Sequence, residues 1–233
     1  MGNDEAIMPY ISSANIACGY HAGDEKTMFE TIGLAVKYGV GIGAHVSFFD
    51  KDNFGRKEMQ IPSEELYDLV TQQLLICREI TDHFRTELSH VKPHGSLYNM
   101  SAKDPQVAHT IARAVRDFDD SLIIYGLSGS HSINEAGLWE LKTASEVFAD
   151  RTYQDDGSLT PRSDPNALLE NTKDAVAQVI RMVKKGKVNS VSGKEISIKA
   201  DTICIHGDGE HAVEFAQHIF QTLEQNNIAI KAF

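Results

Sequence analysis

Ten histidines are spread along the 233 residues, and four of them share a context. His21 follows the apolar run 11–18, His45 closes the run 40–46, His94 stands between Pro93 and Gly95, and His206 opens His206-Gly207-Asp208-Gly209 after the run 201–205. A strand-like run broken by glycine or proline puts polar side chains at a strand end rather than on a strand face. Strand ends are where α/β enzymes build their sites. The carboxylates Glu146, Asp150 and Asp208 and the cations Lys92, Arg151 and Arg162 fall in the same kind of position.

Imidazoles beside carboxylates can move protons near neutral pH, or can ligate a divalent metal when neutral. The spacing does not decide between the two, because there is no HExxH helix and the histidines lie far apart in sequence. Lys92 could orient a carboxylate or an oxyanion, with a solvated lysine as the plain alternative. Arg151 and Arg162, in one loop, could grip a substrate carboxylate through forked hydrogen bonds, with surface ion pairs as the alternative. His83, His109, His211 and His218 fall on helices and read as solvated or capping.

Other motifs carry less. Gly126-Leu127-Ser128-Gly129-Ser130-His131 misses the nucleophile elbow, since serine stands at position 130 where glycine is required. Cys18 reads as a small core residue rather than a thiolate nucleophile. The backbone amides of His206-Gly207-Asp208-Gly209 could form an anion nest at a helix start. No GxxxxGK[ST] loop is present, so nothing in the chain marks a way to hold ATP alone.

The elements that must position these residues alternate. After ten acidic, loop-like residues, strands are expected at 11–18, 40–46, 88–92, 122–125, 138–148 and 201–205, with a small hairpin at 188–198 and a closing strand at 228–231. Helices are expected from Asp24 to Gly39, from Ser63, from Asp104-Pro105 to about Phe118, over 130–136, from Thr172 to Lys185 and from Glu210 to about Asn226. The loop 47–62 is long enough to be a lid. Strands separated by helical crossovers favour a parallel sheet. Without GxGxxG after the first strand, a closed or distorted β/α barrel fits better than a dinucleotide-binding sheet.

Composition sets the outer limits. With 42% hydrophobic and 24% charged residues the chain can bury one core, and residues 1–233 are expected to form one compact soluble domain. A net charge of −11 argues against nucleic acid or an anionic membrane as partner, because phosphate recognition needs a basic face. Three scattered cysteines fit a reducing cytoplasm, and neither a secretory leader nor a spanning run of apolar residues is apparent.

Taken together, Ser12-Ser13-Ala14-Asn15-Ile16-Ala17-Cys18-Gly19-Tyr20-His21-Ala22-Gly23-Asp24, Gly43-Ala44-His45, Val91-Lys92-Pro93-His94-Gly95, residues 143–151, Thr160-Pro161-Arg162-Ser163 and His206-Gly207-Asp208-Gly209 resemble the LamB/YcsF family, in the same order over essentially the whole chain. The resemblance implies a distorted (β/α)7-type barrel of the glycoside hydrolase/deacetylase kind. It also implies ATP-dependent opening of 5-oxo-L-proline to L-glutamate in an assembly with partner subunits B and C, with ATP handled through those partners.

On this reading His21, His45, His94 and His206 form the polar centre. Glu146, Asp150 or Asp208 act as acid–base partners, and Lys92, Arg151 and Arg162 hold the substrate carboxylate. Family members usually begin with a further strand bearing Asp-x-Asn-Cys-Asp-x-Gly-Glu, which has no counterpart after Met1, so an open barrel is expected. By analogy with carbohydrate deacetylases, a divalent metal would use His45 and His94 with an aspartate of that strand. Val46-Ser47-Phe48-Phe49-Asp50 also departs from the family, which usually has proline and glycine after the histidine. The rival expectations are a stand-alone metal-dependent deacetylase or amidase, and a non-catalytic lactam-binding or regulatory protein.

Overall fold

The computed structural model describes residues 4–169, 171–207, 209 and 211–233. In chain order the elements are α1 (Asp4–Ile7), a 3-10 turn (Met8–Tyr10), β1 (Ser13–Ala17), α2 (Glu25–Tyr38), β2 (Gly41–Val46), α3 (Ser63–His83), β3 (His90–Pro93) and α4 (Gly95–Lys103). There follow α5 (Pro105–Phe118), β4 (Ile123–Leu127), α6 (His131–Leu138), β5 (Lys142–Phe148), α7 (Thr172–Lys185), β6 (Lys187–Asn189), β7 (Glu195–Ser197), β8 (Thr202–Cys204) and α8 (Ala212–Gln225).

The chain divides into two compact units. The first holds Ser12–Gly126, Ser130–Thr143 and the last two residues. In it β1, β2, β3 and β4 lie side by side, all parallel, with Ala17 opposite His45 and His45 opposite Lys92. Every residue of β3 and β4 is buried.

Local chemistry sets the helices that make the crossovers. Asp24 accepts from the Thr27 amide at 2.8 Å to start α2, and Gly39 ends it in the left-handed region at φ 67°. Asp104 caps α5 through the Gln106 amide at 2.8 Å, with Pro105 in the first turn where no N–H is needed.

The second unit holds the residues up to Ile11, Leu127–Gly129 and Ala144–Lys231. Here β5 pairs with β8 in parallel, Phe148 opposite Cys204, and β6 and β7 form an antiparallel hairpin. Asn171 caps α7 through the Lys173 amide, and Gly186 closes it at φ 61°.

Four expectations are corrected. Residues 4–10 are helical rather than loop-like. Leu138 belongs to α6, so the expected strand 138–148 starts only at Lys142; an apolar run does not distinguish the last turn of a helix from a strand. Residues 228–231 form no strand: the Ile228 amide turns back to the Leu223 carbonyl as α8 ends. The helix α4 adds an element where none is expected, because Pro93 and Gly95 read as breakers when they in fact deliver the chain into a helix. Asp208 and Glu210 lie outside the described residues.

Candidate functional site

Each unit carries a cluster of the residues singled out from the sequence. In the first unit, His21 lies in the turn after β1, His45 is the penultimate residue of β2, and His94 follows β3. Register makes them meet. The His94 amide donates to the Val46 carbonyl at 2.8 Å, which extends the β2–β3 ladder by one step and sets His94 beside His45. The rings of His21 and His94 stack at 3.9 Å and 8°, and His45 stands edge-on to both.

The hydrogen bonds fix the tautomers, since a backbone carbonyl can only accept. His45 Nδ1–H therefore donates to the Lys92 carbonyl at 2.8 Å, and His94 Nε2–H donates to the Phe54 carbonyl at 2.9 Å. His45 Nε2 and His94 Nδ1 face one another at 3.0 Å. Burial, and then the neighbouring charges of His94, Lys92 and His21, hold His45 well below its ordinary pKa. Burial and His94 bring His21 down to about 3, so both rings rest neutral. One ring nitrogen from each of the three lies within 4.8 Å of the others, a donor set that fits a divalent transition metal.

Sequence reasoning missed how this cluster is fastened. Phe54, itself at φ 54°, supplies the carbonyl that orients His94 and sets its ring edge-on to both His21 and His94. The Gly55 carbonyl accepts from the Ser96 amide at 2.9 Å and its hydroxyl at 3.1 Å, so the loop expected to act as a lid is docked on the start of α4. Asn53-Phe54-Gly55, with glycine after an aromatic in a polar loop, is the one sequence signal that points to it. Lys92 is buried, with its ammonium 5.6 Å from the Tyr98 ring centroid. Cys18 lies buried 3.4 Å from Cys77; their hydrogen bond, with burial, holds its thiol well above the ordinary value, as suits a core residue.

In the second unit, Asp150 and His206 each lie two residues beyond the paired strand ends Phe148 and Cys204, and this equal offset brings them together. Arg162 Nη2 donates to His206 Nε2 at 3.1 Å, so the ring proton sits on Nδ1, which donates to Asp150 Oδ2 at 2.7 Å. Burial alone would raise the Asp150 pKa; the hydrogen bond and charge of His206, with Arg151, outweigh it and keep the carboxyl below its usual range. Asp150 Oδ1 is buried with no hydrogen-bond partner among the described residues.

Glu146 is buried inside β5 rather than at its end. Arg151 is also buried; it spends Nε on the Ala167 carbonyl at 3.2 Å and Nη2 on the Thr160 carbonyl at 2.5 Å, which ties the loop that follows it. No helix among the described residues is long and apolar enough to cross a membrane.

Parallel strands joined by helices, with imidazoles and carboxylates at the strand ends, define an α/β protein of the distorted β/α-barrel class. A LamB/YcsF family profile matches residues 1–233, and the chain belongs to that family. It is 52% identical over 231 residues to the 5-oxoprolinase A subunit of Staphylococcus haemolyticus, covering 99% of this chain and 92% of the relative. It is 53% identical over 232 residues to the protein of the same name from Tolumonas auensis, covering 100% and 92%. The crystal structure of the lactam utilization protein from Thermus thermophilus superposes with a TM-score of 0.94 at 38% identity, covering 100% of this chain and 93% of that one.

Proposed function

We propose that the chain is the A component of a 5-oxoprolinase, which hydrolyses 5-oxo-L-proline to L-glutamate at the expense of ATP together with partner subunits B and C. The observation that carries this reading is near-complete coverage, at about half identity, of relatives named as the A subunit of 5-oxoprolinase. The chemistry is consistent with a division of labour. An unstrained lactam is a poor electrophile, and phosphorylating its oxygen makes the carbonyl carbon open to water. The chain has no phosphate loop of its own, so ATP is handled through the partners.

In the proposed reaction this chain supplies the base and the carboxylate clamp. Arg162 moves from His206 Nε2 to the carboxylate of 5-oxoproline, which frees that lone pair. Water attacks the activated carbonyl carbon and gives its proton to Nε2, while Asp150 stabilises the resulting imidazolium through Nδ1–H. Collapse of the adduct breaks the ring C–N bond: the nitrogen takes a proton and becomes the amino group, while the phosphoryl group stays on the new side-chain carboxyl as an acyl phosphate. A second water cleaves that acyl phosphate to glutamate and inorganic phosphate, so one ATP and two waters are consumed in all. Lys92 and Arg151 are further candidates for the substrate carboxylate, and Glu146 and Asp208 for acid–base work. A metal held by the histidines of the first unit would supply Lewis-acid polarisation when bound.

The test is glutamate formation from 5-oxoproline and ATP by the full assembly. Asp150→Asn is expected to lower kcat by about 100-fold or more, in the range of general-base catalysis, with thermal stability retained. Unchanged turnover would remove Asp150 and His206 from the mechanism. The histidine cluster favours a second reading, a metal-dependent amidase acting alone, which predicts turnover without ATP or partners and loss with chelator. Binding of 5-oxoproline without turnover in any combination would point instead to a binding protein.

A further inference from the structure

We infer that His21, His45 and His94 form a three-histidine site for a divalent transition metal, zinc being the first choice. The proposal stands apart from the 5-oxoprolinase reading, because it needs only the geometry of this cluster. With Nδ1 of His45 and Nε2 of His94 committed to backbone carbonyls, the other two nitrogens face one another at hydrogen-bond distance, 3.0 Å, and a metal ion bound by both would take the place of that hydrogen bond. Carbonyls that accept the far N–H of each ring are the usual supports of metal-bound imidazole.

His21 completes the set. It is 3% exposed, its Nδ1 has no hydrogen-bond partner among the described residues, and its ring stacks on His94. Nitrogens 2.0–2.1 Å from a tetrahedral zinc stand about 3.3 Å apart, so the 3.0 Å pair needs to open by only a few tenths of an ångström. His21, whose ring is stacked nearly parallel to that of His94, must turn about its Cβ–Cγ bond to bring its nitrogen in from within 4.8 Å. An all-imidazole donor set suits zinc, cobalt or nickel and does not suit calcium or magnesium, which require oxygen. Three protein ligands leave a fourth position for water, the coordination of a catalytic rather than a structural zinc. The resemblance to deacetylases calls for an aspartate from another strand; here His21 takes the third place.

The test uses the full chain stripped with chelator and titrated with cobalt(II), followed by metal analysis and visible absorption. One equivalent is expected, with the intense visible bands of four-coordinate cobalt, displaced by zinc. His21→Gln and His94→Gln are each expected to weaken binding at least about 10-fold, since loss of even a supporting contact costs that much. His83→Gln, on α3, is the control and keeps full affinity. Circular dichroism shows whether each variant is folded, and the wild-type stoichiometry decides the matter even if one is not. No uptake by the folded wild type, or uptake that all variants retain, would overturn the proposal. Since no turnover is measured, failure of the 5-oxoprolinase assay leaves this result untouched, and the reverse.

Discussion

Replacing Gly55 by alanine is expected to cost about 2–5 kcal/mol of stability and to force His21 and His94 apart. Two terms add. Gly55 has φ 66°, in the left-handed region, where a Cβ costs about 1–2 kcal/mol. That Cβ would also stand 2.4 Å from Ser47 Oγ and 2.9 Å from both His21 Cβ and His94 Cδ2. Unstrained carbon contacts lie at about 3.5–4.0 Å, so the overlap with each histidine is at least about 0.6 Å. The two rings are stacked and His94 is tied to Phe54, so neither can recede alone; overpacking of this kind adds about 1–3 kcal/mol.

Gly157→Ala isolates the first term, because Gly157 has φ 87° and a methyl group added there meets nothing within 4 Å. Urea denaturation of both variants, read as midpoint times slope, should place Gly55→Ala about 1–3 kcal/mol below Gly157→Ala. Cobalt affinity should fall with it. Equal losses in the two variants would refute the claim that Gly55 forms the packed floor of the histidine cluster.

Other outcomes follow from buried groups away from that cluster. Burial, and then the charge of Lys92, hold His90 near a pKa of about 3, below the ordinary value of about 6.5. Between those values the unfolded chain binds a proton that the folded chain does not, so this contribution is complete above about pH 6.5 and is lost as pH falls toward 3, by up to about 1.4 kcal/mol per pH unit. Urea midpoints of wild type and His90→Gln between pH 7.5 and 4.5 should show a shallower slope for the variant; parallel slopes would contradict the assignment. Arg151→Ala should destabilise by about 2–4 kcal/mol, since it strands the Thr160 and Ala167 carbonyls, and should speed proteolysis within residues 152–168; an unchanged digestion pattern would show that the guanidinium does not hold this loop.

Much was legible without coordinates because it is written in local chemistry. Asp24, Gly39 and Asp104-Pro105 mark helix ends through single hydrogen bonds and allowed dihedrals, and apolar runs ending in histidine marked β1, β2 and β3. Where two local signals compete, as at Pro93-His94-Gly95 before α4 or at Leu138 on the last turn of α6, sequence alone chose wrongly. Residue type and strand-end position named His21, His45 and His94 as well as Asp150, Arg162 and His206. Which of these touch, and through which atom, was a matter for the tertiary structure: the register of β2 on β3, with His45 opposite Lys92 and the His94 amide on the Val46 carbonyl, sets His94 beside His45, and the equal offset beyond β5 and β8 pairs Asp150 with His206. The protonation state of each ring depends on a carbonyl or guanidinium that comes from another part of the chain, at Phe54, Lys92 or Arg162, and no spacing along a sequence encodes a contact that only folding makes.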